Sequence, residues 1–144
     1  MLGTLAKWLR IIGYDTAYGE GNDSEIIKKA DTEERILFTR DKELHDRYVN
    51  SVFVGSTKLE EQIKEVINAL KLKIDMGNAL SRCTLCNAPI MKTSKEQAKG
   101  KVPPHAYETH DNFWICPKCK RIYWMGTHWD NMKRFIEKLK DELP

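Results

Sequence analysis

Four cysteines stand in two pairs of identical spacing, Cys83 and Cys86 in RCTLCNAPI and Cys116 and Cys119 in ICPKCKRIYW. Two residues between cysteines let a tight turn aim both sulfurs at one point, and two such turns supply the tetrahedral thiolate cage that suits Zn²⁺. With every position filled by protein the ion is expected to be structural, because a catalytic zinc keeps one position open for water or substrate. A CxxC redox pair or buried free thiols are the other uses of this spacing. Around the second pair, Lys118, Lys120 and Arg121 crowd beside Tyr123, Trp124 and Trp129, and Lys92, Lys95, Lys99 and Lys101 occupy the stretch between the pairs. Cations interleaved with aromatics suit a nucleic-acid backbone and its stacked bases. Lysines also decorate any small surface, and the aromatics serve equally well as a small core. His105, His110 and His128 fit surface or packing roles better than metal ligation, since four cysteines are available.

A second group of residues is acidic. RILFTRD delivers Thr39, Arg40 and Asp41 to the end of an apolar run, and Asp23 stands where SEIIKKA begins a helix. Ligands of open parallel sheets bind at the carboxyl ends of strands. Aspartates meeting there suit a hard divalent ion, Mg²⁺ or Mn²⁺, which activates water for displacement at phosphorus, with Arg40 on a phosphate oxygen. The same residues have an ordinary use. Thr39 or Asp41 is a good N-cap for KELHDRYV, and Asp23 or Ser24 for SEIIKKA. Asp15 and Asp46 are weaker candidates of the same type.

The elements that must position these groups follow from periodicity. Leu2, Leu5, Leu9 and Ile12 recur at helical spacing, and Gly13 is a natural stop. Asp15 to Tyr18 reads as a short strand before GEGND. RILFT at 35–39 and SVFVG at 51–55 read as strands buried on both faces of a parallel sheet, with DKELHDRYV helical between them. KLEEQIKEVINALK is an amphipathic helix with Leu59, Ile63, Val66, Ile67 and Leu70 in register. Alternation of helix and strand with short connections predicts a parallel α/β arrangement. KIDMGNALSR reads as a polar linker at the domain boundary. Beyond it, Ile90 and then Ile122, Tyr123 and Trp124 read as strands leaving the two cysteine turns. The chain closes on an amphipathic helix whose stripe of Trp129, Met132, Phe135, Ile136, Leu139 and Leu143 requires something to dock on.

The totals fit this division. A chain of 144 residues that is 41% apolar has enough core for one domain or two small ones. Residues 1–72 hold 11 Lys/Arg against 13 Asp/Glu, whereas 73–144 hold 13 against 8, so the cysteine-bearing half is the basic one. No apolar run is long enough to span a membrane, and Lys7 and Arg10 interrupt the opening apolar stretch in a way that a signal peptide does not tolerate. A soluble, cytoplasmic protein is expected.

MLGTLAKWLRIIGYDT, ND before a helix, RILFTRD, a helix containing EEQ, RCTLCNAPI and FWICPKCKRIYWMGTHW together resemble the Mut-seven-C ribonuclease family over nearly the whole chain. The resemblance implies a PIN-like three-layer parallel α/β domain at 1–72, followed by a zinc ribbon with a C-terminal helix at 82–144. It also implies a divalent-metal-dependent ribonuclease in which Asp23 and Asp41 hold Mg²⁺ or Mn²⁺ beside Thr39 and Arg40. RNA is the implied partner, met by Lys118, Lys120, Arg121 and Trp124 of the ribbon and by Lys7 and Arg10 of the first helix. Members of the family begin a few residues earlier, with a strand ending in aspartate. Here residue 1 is the methionine that follows it, so the expected sheet lacks its opening strand and the acid set is reduced to Asp23 and Asp41. A non-catalytic RNA-binding or ribonucleoprotein-associated module is the alternative expectation. A pure protein-interaction module is the third.

Overall fold

Helix α1, Gly3–Ile12, ends in a Schellman turn: Tyr14 N–H reaches Leu9 O at 2.9 Å and Gly13 N–H reaches Arg10 O at 3.0 Å. Gly13 has φ +117°, and a Cβ there would lie 2.5 Å from Asn78 O, so only glycine fits the stop. The computed structural model describes residues 2–143. Two compact units emerge, the first containing the chain up to Lys7 and Thr16–Lys73, the second Trp8–Asp15 and the chain from Ile74 onward. The helix therefore begins in one unit and ends in the other.

In the first unit, α2 (Asp23–Thr32) starts with a capping box in which Asn22 Oδ1 accepts Glu25 N–H at 2.9 Å and Glu25 reaches back to Asn22 N–H. The cap is thus Asn22 rather than the expected Asp23 or Ser24. Strand β1 (Leu37–Thr39) leads through α3 (Lys42–Arg47) to β2 (Ser51–Phe53), and the strands pair in parallel, Phe38 opposite Val52. Helix α4 (Leu59–Leu70) buries Ile63, Val66 and Ile67 as its period requires. Val54, Leu44, Ala30 and Leu5 are also buried in this unit.

Two expectations change here. The parallel sheet has two strands among the described residues, and apart from Thr39 their side chains are only half-buried rather than covered on both faces. A three-residue strand in a two-stranded sheet keeps an outer edge and covers little area. Residues 15–18 form no strand. Asp15 is drawn instead to the second unit, where its Oδ1 accepts a bond from Asn87 Nδ2 at 2.5 Å and lies 4.0 Å from Arg82. The chain is a mixed α/β protein with small sheets.

The second unit is built on an antiparallel sheet, β3 (Met91–Thr93), β4 (Phe113–Ile115) and β5 (Ile122–Tyr123), with Lys92 opposite Trp114 and Trp114 opposite Tyr123. Between β3 and β4 the chain makes two short helices, α5 (Lys95–Ala98), capped by Ser94, and α6 (Pro104–Thr109), entered through proline. Ala98 of α5, Val102 of the connection and Ala106 of α6 pack with Phe113 and Ile122 into a buried cluster, against which Tyr107, Ile115 and Trp124 lean. The segment read as a linker is packed: Ile74 and Leu80 are buried, Asp75 caps a 3₁₀ turn at Met76–Asn78, and Leu80 N–H bonds to Ile11 O at 2.7 Å. The last helix, α7 (Thr127–Glu142), buries Trp129, Ile136 and Leu139. Its Phe135 ring meets Trp8 of α1 with centroids 4.7 Å apart, so the closing helix docks on the opening one.

Candidate metal centre and acidic edge

Both CxxC turns are built alike. In the first, an antiparallel bridge of Arg82 with Pro89 brings Cys83 N–H to Ala88 O at 2.8 Å. Asn87, at φ +68°, returns its N–H to Cys83 O, and Cys86 N–H points at Cys83 Sγ at 3.3 Å. In the second, at the tip of the β4–β5 hairpin, Cys116 N–H meets Arg121 O and Lys120, at φ +67°, returns its N–H to Cys116 O. Cys119 N–H then points at Cys116 Sγ at 3.4 Å. The left-handed residue after each second cysteine turns the chain back, so that both sulfurs and an amide face the same point.

The four Sγ atoms lie within 4.8 Å of one another. Sulfurs at about 2.3 Å from a tetrahedral zinc stand about 3.8 Å apart, and Cys83 and Cys119 are at 3.7 Å. The donor set and its spacing fit a structural Zn²⁺. Its electrostatics fit as well. Burial works against the Cys83 thiolate, but the Tyr123 hydroxyl and the Cys86 and Leu85 amides outweigh it and lower that thiol from 9.0 to about 7. Hydrogen bonding to Cys119, burial and the charges of Cys83 and Cys119 push Cys86 up to about 12. Tyr123 is pushed up to about 12 by burial and by its bond to Cys83. With no cation beside it, Cys86 thus keeps its proton at neutral pH.

Four side chains whose role local sequence patterns do not reveal hold this centre. Arg10, expected at a nucleic-acid face, is only 8% exposed, and its Nη1 donates to Thr84 O at 2.8 Å and Leu85 O at 3.2 Å. It serves the first cysteine turn rather than an outer surface, because a buried guanidinium needs acceptors and those carbonyls supply them. Tyr123 Oη accepts Thr84 N–H at 3.1 Å and lies 3.1 Å from Cys83 Sγ, within reach to donate to its thiolate. Asp15 and Arg82 fix Asn87. Of the remaining residues expected to face RNA, Lys7, Lys118, Lys120 and Arg121 are exposed, whereas Trp124 is half-buried against the Phe113 cluster.

The acidic edge is less concentrated. Asp41 caps α3, its Oδ1 accepting Glu43 N–H at 2.9 Å and Leu44 N–H at 3.3 Å. Its own N–H donates to Thr39 Oγ1 at 3.0 Å, so Thr39, buried at the end of β1, sets the turn that presents the carboxylate. Asp23, in the first turn of α2, faces Arg47 Nη1 at 3.7 Å, and Arg47 also bonds to Ser24. Arg40 Nε is buried and has no hydrogen-bond partner among the described residues. Within those residues the cysteine quartet is the only group of three or more His, Cys, Asp or Glu close enough to share an ion.

No helix of the described chain is long and apolar enough to cross a membrane. No curated protein and no solved structure matches this sequence. The family model of the Mut7-C RNAse domain matches residues 1–136, a span that contains both the acidic edge and the four-cysteine centre. The chain belongs to the Mut7-C RNAse domain family.

Proposed function

We propose that this chain is a ribonuclease that hydrolyses RNA phosphodiesters with Mg²⁺ or Mn²⁺, on a PIN-like α/β scaffold at 1–72, while a zinc ribbon with its C-terminal helix at 82–144 binds the RNA. The observation that carries the reading is Arg40. Its Nε is buried with no acceptor among the described residues, which costs on the order of 1–3 kcal/mol or more, and it stands at the carboxyl end of a parallel strand next to Asp41, where an anionic ligand would satisfy it. Two carboxylates are a sufficient protein donor set for Mg²⁺ when waters and a substrate phosphate complete the octahedron. The bound ion would supply Lewis-acid activation of water and of the phosphate.

The chain's own groups have separate tasks. Asp41 offers Oδ2, its Oδ1 being engaged with the α3 amides. Thr39 holds the Asp41 peptide in place. Asp23 would add a second carboxylate only by giving up its half-exposed pairing with Arg47, a contact worth less than about 1 kcal/mol. Arg40 binds a non-bridging phosphate oxygen. Lys118, Lys120 and Arg121 neutralise backbone phosphates, and Lys7 adds a further exposed cation.

A second reading is favoured by a specific observation: Asp23 and Asp41 each already serve the fold, the first paired with Arg47 and the second capping α3. On that basis the chain is an RNA-binding or ribonucleoprotein-associated module without cleavage. Incubating the zinc-loaded protein with end-labelled single-stranded RNA separates the two. Cleavage that appears with Mn²⁺ and disappears without it is the expected result. Salt-sensitive binding with no cleavage in any divalent ion would replace the first reading with the second.

A further inference from the structure

The two cysteine turns share a geometry but not its support. In the first, the Thr84 backbone is held from both sides, its carbonyl by Arg10 and its N–H by Tyr123 Oη, which lies 3.1 Å from Cys83 Sγ. Arg10 also takes Leu85 O, Asp15 holds the Asn87 amide, and Arg82 Nη1 donates to Asn87 O at 2.7 Å. Among the described residues the second turn has its own bonds, Cys116 N–H to Arg121 O, Lys120 N–H to Cys116 O and Cys119 N–H to Cys116 Sγ, and the sulfur contact of Cys119 with Cys83 at 3.7 Å, but no hydrogen bond from a side chain outside the cysteine quartet. Every residue from Pro117 to Arg121 is exposed, Cys119 included. The hairpin below this tip is anchored, since Phe113 and Ile122 lie in the buried cluster. The loosely supported tip is also the basic one, carrying Lys118, Lys120 and Arg121.

We propose that the first cysteine turn is a half-site preformed by Arg10 and Tyr123, and that the ion is the latch fixing the second turn upon it, so that zinc occupancy sets the affinity for single-stranded RNA. The proposal rests on the RNA-binding part of the reading above. Zinc loss frees the tip alone. Its three cations then contact phosphates only after the tip is ordered again, and the ordering entropy is charged against binding. Arg10 and Tyr123 are positioning residues: they act on the cysteine turn and not on RNA.

Hydrogen exchange followed by mass spectrometry on the full chain, zinc-loaded and after chelation, tests the latch. Peptides covering 116–121 are expected to lose protection when zinc is removed, while 83–87 keeps it, and Tyr123→Phe is expected to make 83–87 exchange as readily as the tip. Joint loss in both turns of the unsubstituted chain, or loss in neither, overturns the proposal. Fluorescence anisotropy with a single-stranded RNA oligonucleotide tests the consequence. Three phosphate contacts contribute about fifty-fold in affinity at about 0.15 M salt through counterion release, so chelation and the triple variant Lys118→Gln, Lys120→Gln, Arg121→Gln should each weaken binding by up to that factor. Affinity that falls in the triple variant but ignores chelation overturns the latch and leaves the RNA reading standing. Affinity that ignores both overturns the proposal together with the RNA reading.

Discussion

Replacing Arg10 by methionine should damage a metal site that lies 73 to 109 residues away in sequence. The substitution keeps most of the buried stem but removes two hydrogen bonds from a charged donor, to Thr84 O at 2.8 Å and Leu85 O at 3.2 Å. Charge-assisted bonds contribute roughly 1.5–3 kcal/mol each. Because both come from one nitrogen they are not additive, and about 3 kcal/mol is a reasonable total. That loss is shared between the fold of the second unit and the zinc affinity. If all of it fell on the metal, the dissociation constant would rise about a hundredfold. Competition against a chromophoric chelator reads the affinity, and urea unfolding of the zinc-loaded protein reads the remainder. Arg10→Lys should lie between, since an ammonium can meet one carbonyl well but lacks the planar fork. If Arg10→Met left both quantities within about 0.5 kcal/mol of the unsubstituted chain and only weakened RNA binding, the support assigned to Arg10 would be wrong and its place would be at the RNA surface.

Zinc affinity should fall on acidification from about pH 8 to pH 6, because Cys86, pushed up to about 12 in the metal-free cluster, must release its proton to ligate. The same competition titration at several pH values checks this, and a flat profile would contradict thiolate ligation. In the metal-free chain, Cys83 is lowered from 9.0 to about 7, so its contribution to stability is complete above about pH 9 and lost as pH falls through about 7. Urea titrations of the chelated protein at these two values should show that direction. Phe113→Ala removes a fully buried ring from the cluster with Ala98, Val102, Ala106 and Ile122 and should cost about 3–5 kcal/mol, seen as a lower unfolding midpoint of the second unit. A cost below about 1 kcal/mol would mean that the cluster does not hold the hairpin.

Local features were the ones legible in the sequence. The cysteine quartet follows from two CxxC spacings, and α4 and α7 follow from long apolar periods, because both signals are complete within a dozen residues or so. Helices α5 and α6 were missed: at 4 and 6 residues they have too few turns to show a period, and only Ser94 and the prolines at 103 and 104 mark their starts. The run at 15–18 has the composition of a strand, but strand formation needs a partner, and Asp15 is held by Asn87 instead. Arg10 was misassigned for a related reason. Its partners are 74 and 75 residues away, and nothing in WLRII distinguishes a buried clamp from a surface cation. At the acidic edge both readings of Asp41 came from the same local pattern. The cap bonds are present, and the sequence alone does not say whether its second oxygen has another use.

Asp41→Asn isolates that use. Asparagine caps helices as well as aspartate does, so α3 and Thr39 should keep their places while the negative charge is lost. The decisive measurement is single-turnover cleavage of end-labelled RNA by the zinc-loaded protein in Mn²⁺, with RNA affinity determined in parallel. Asp41→Asn is expected to lower the cleavage rate at least about a hundredfold, some 3 kcal/mol of transition-state stabilisation, with RNA binding changed by less than about threefold. Equal cleavage by the two proteins would contradict the assignment of the acidic edge as the site of phosphodiester hydrolysis.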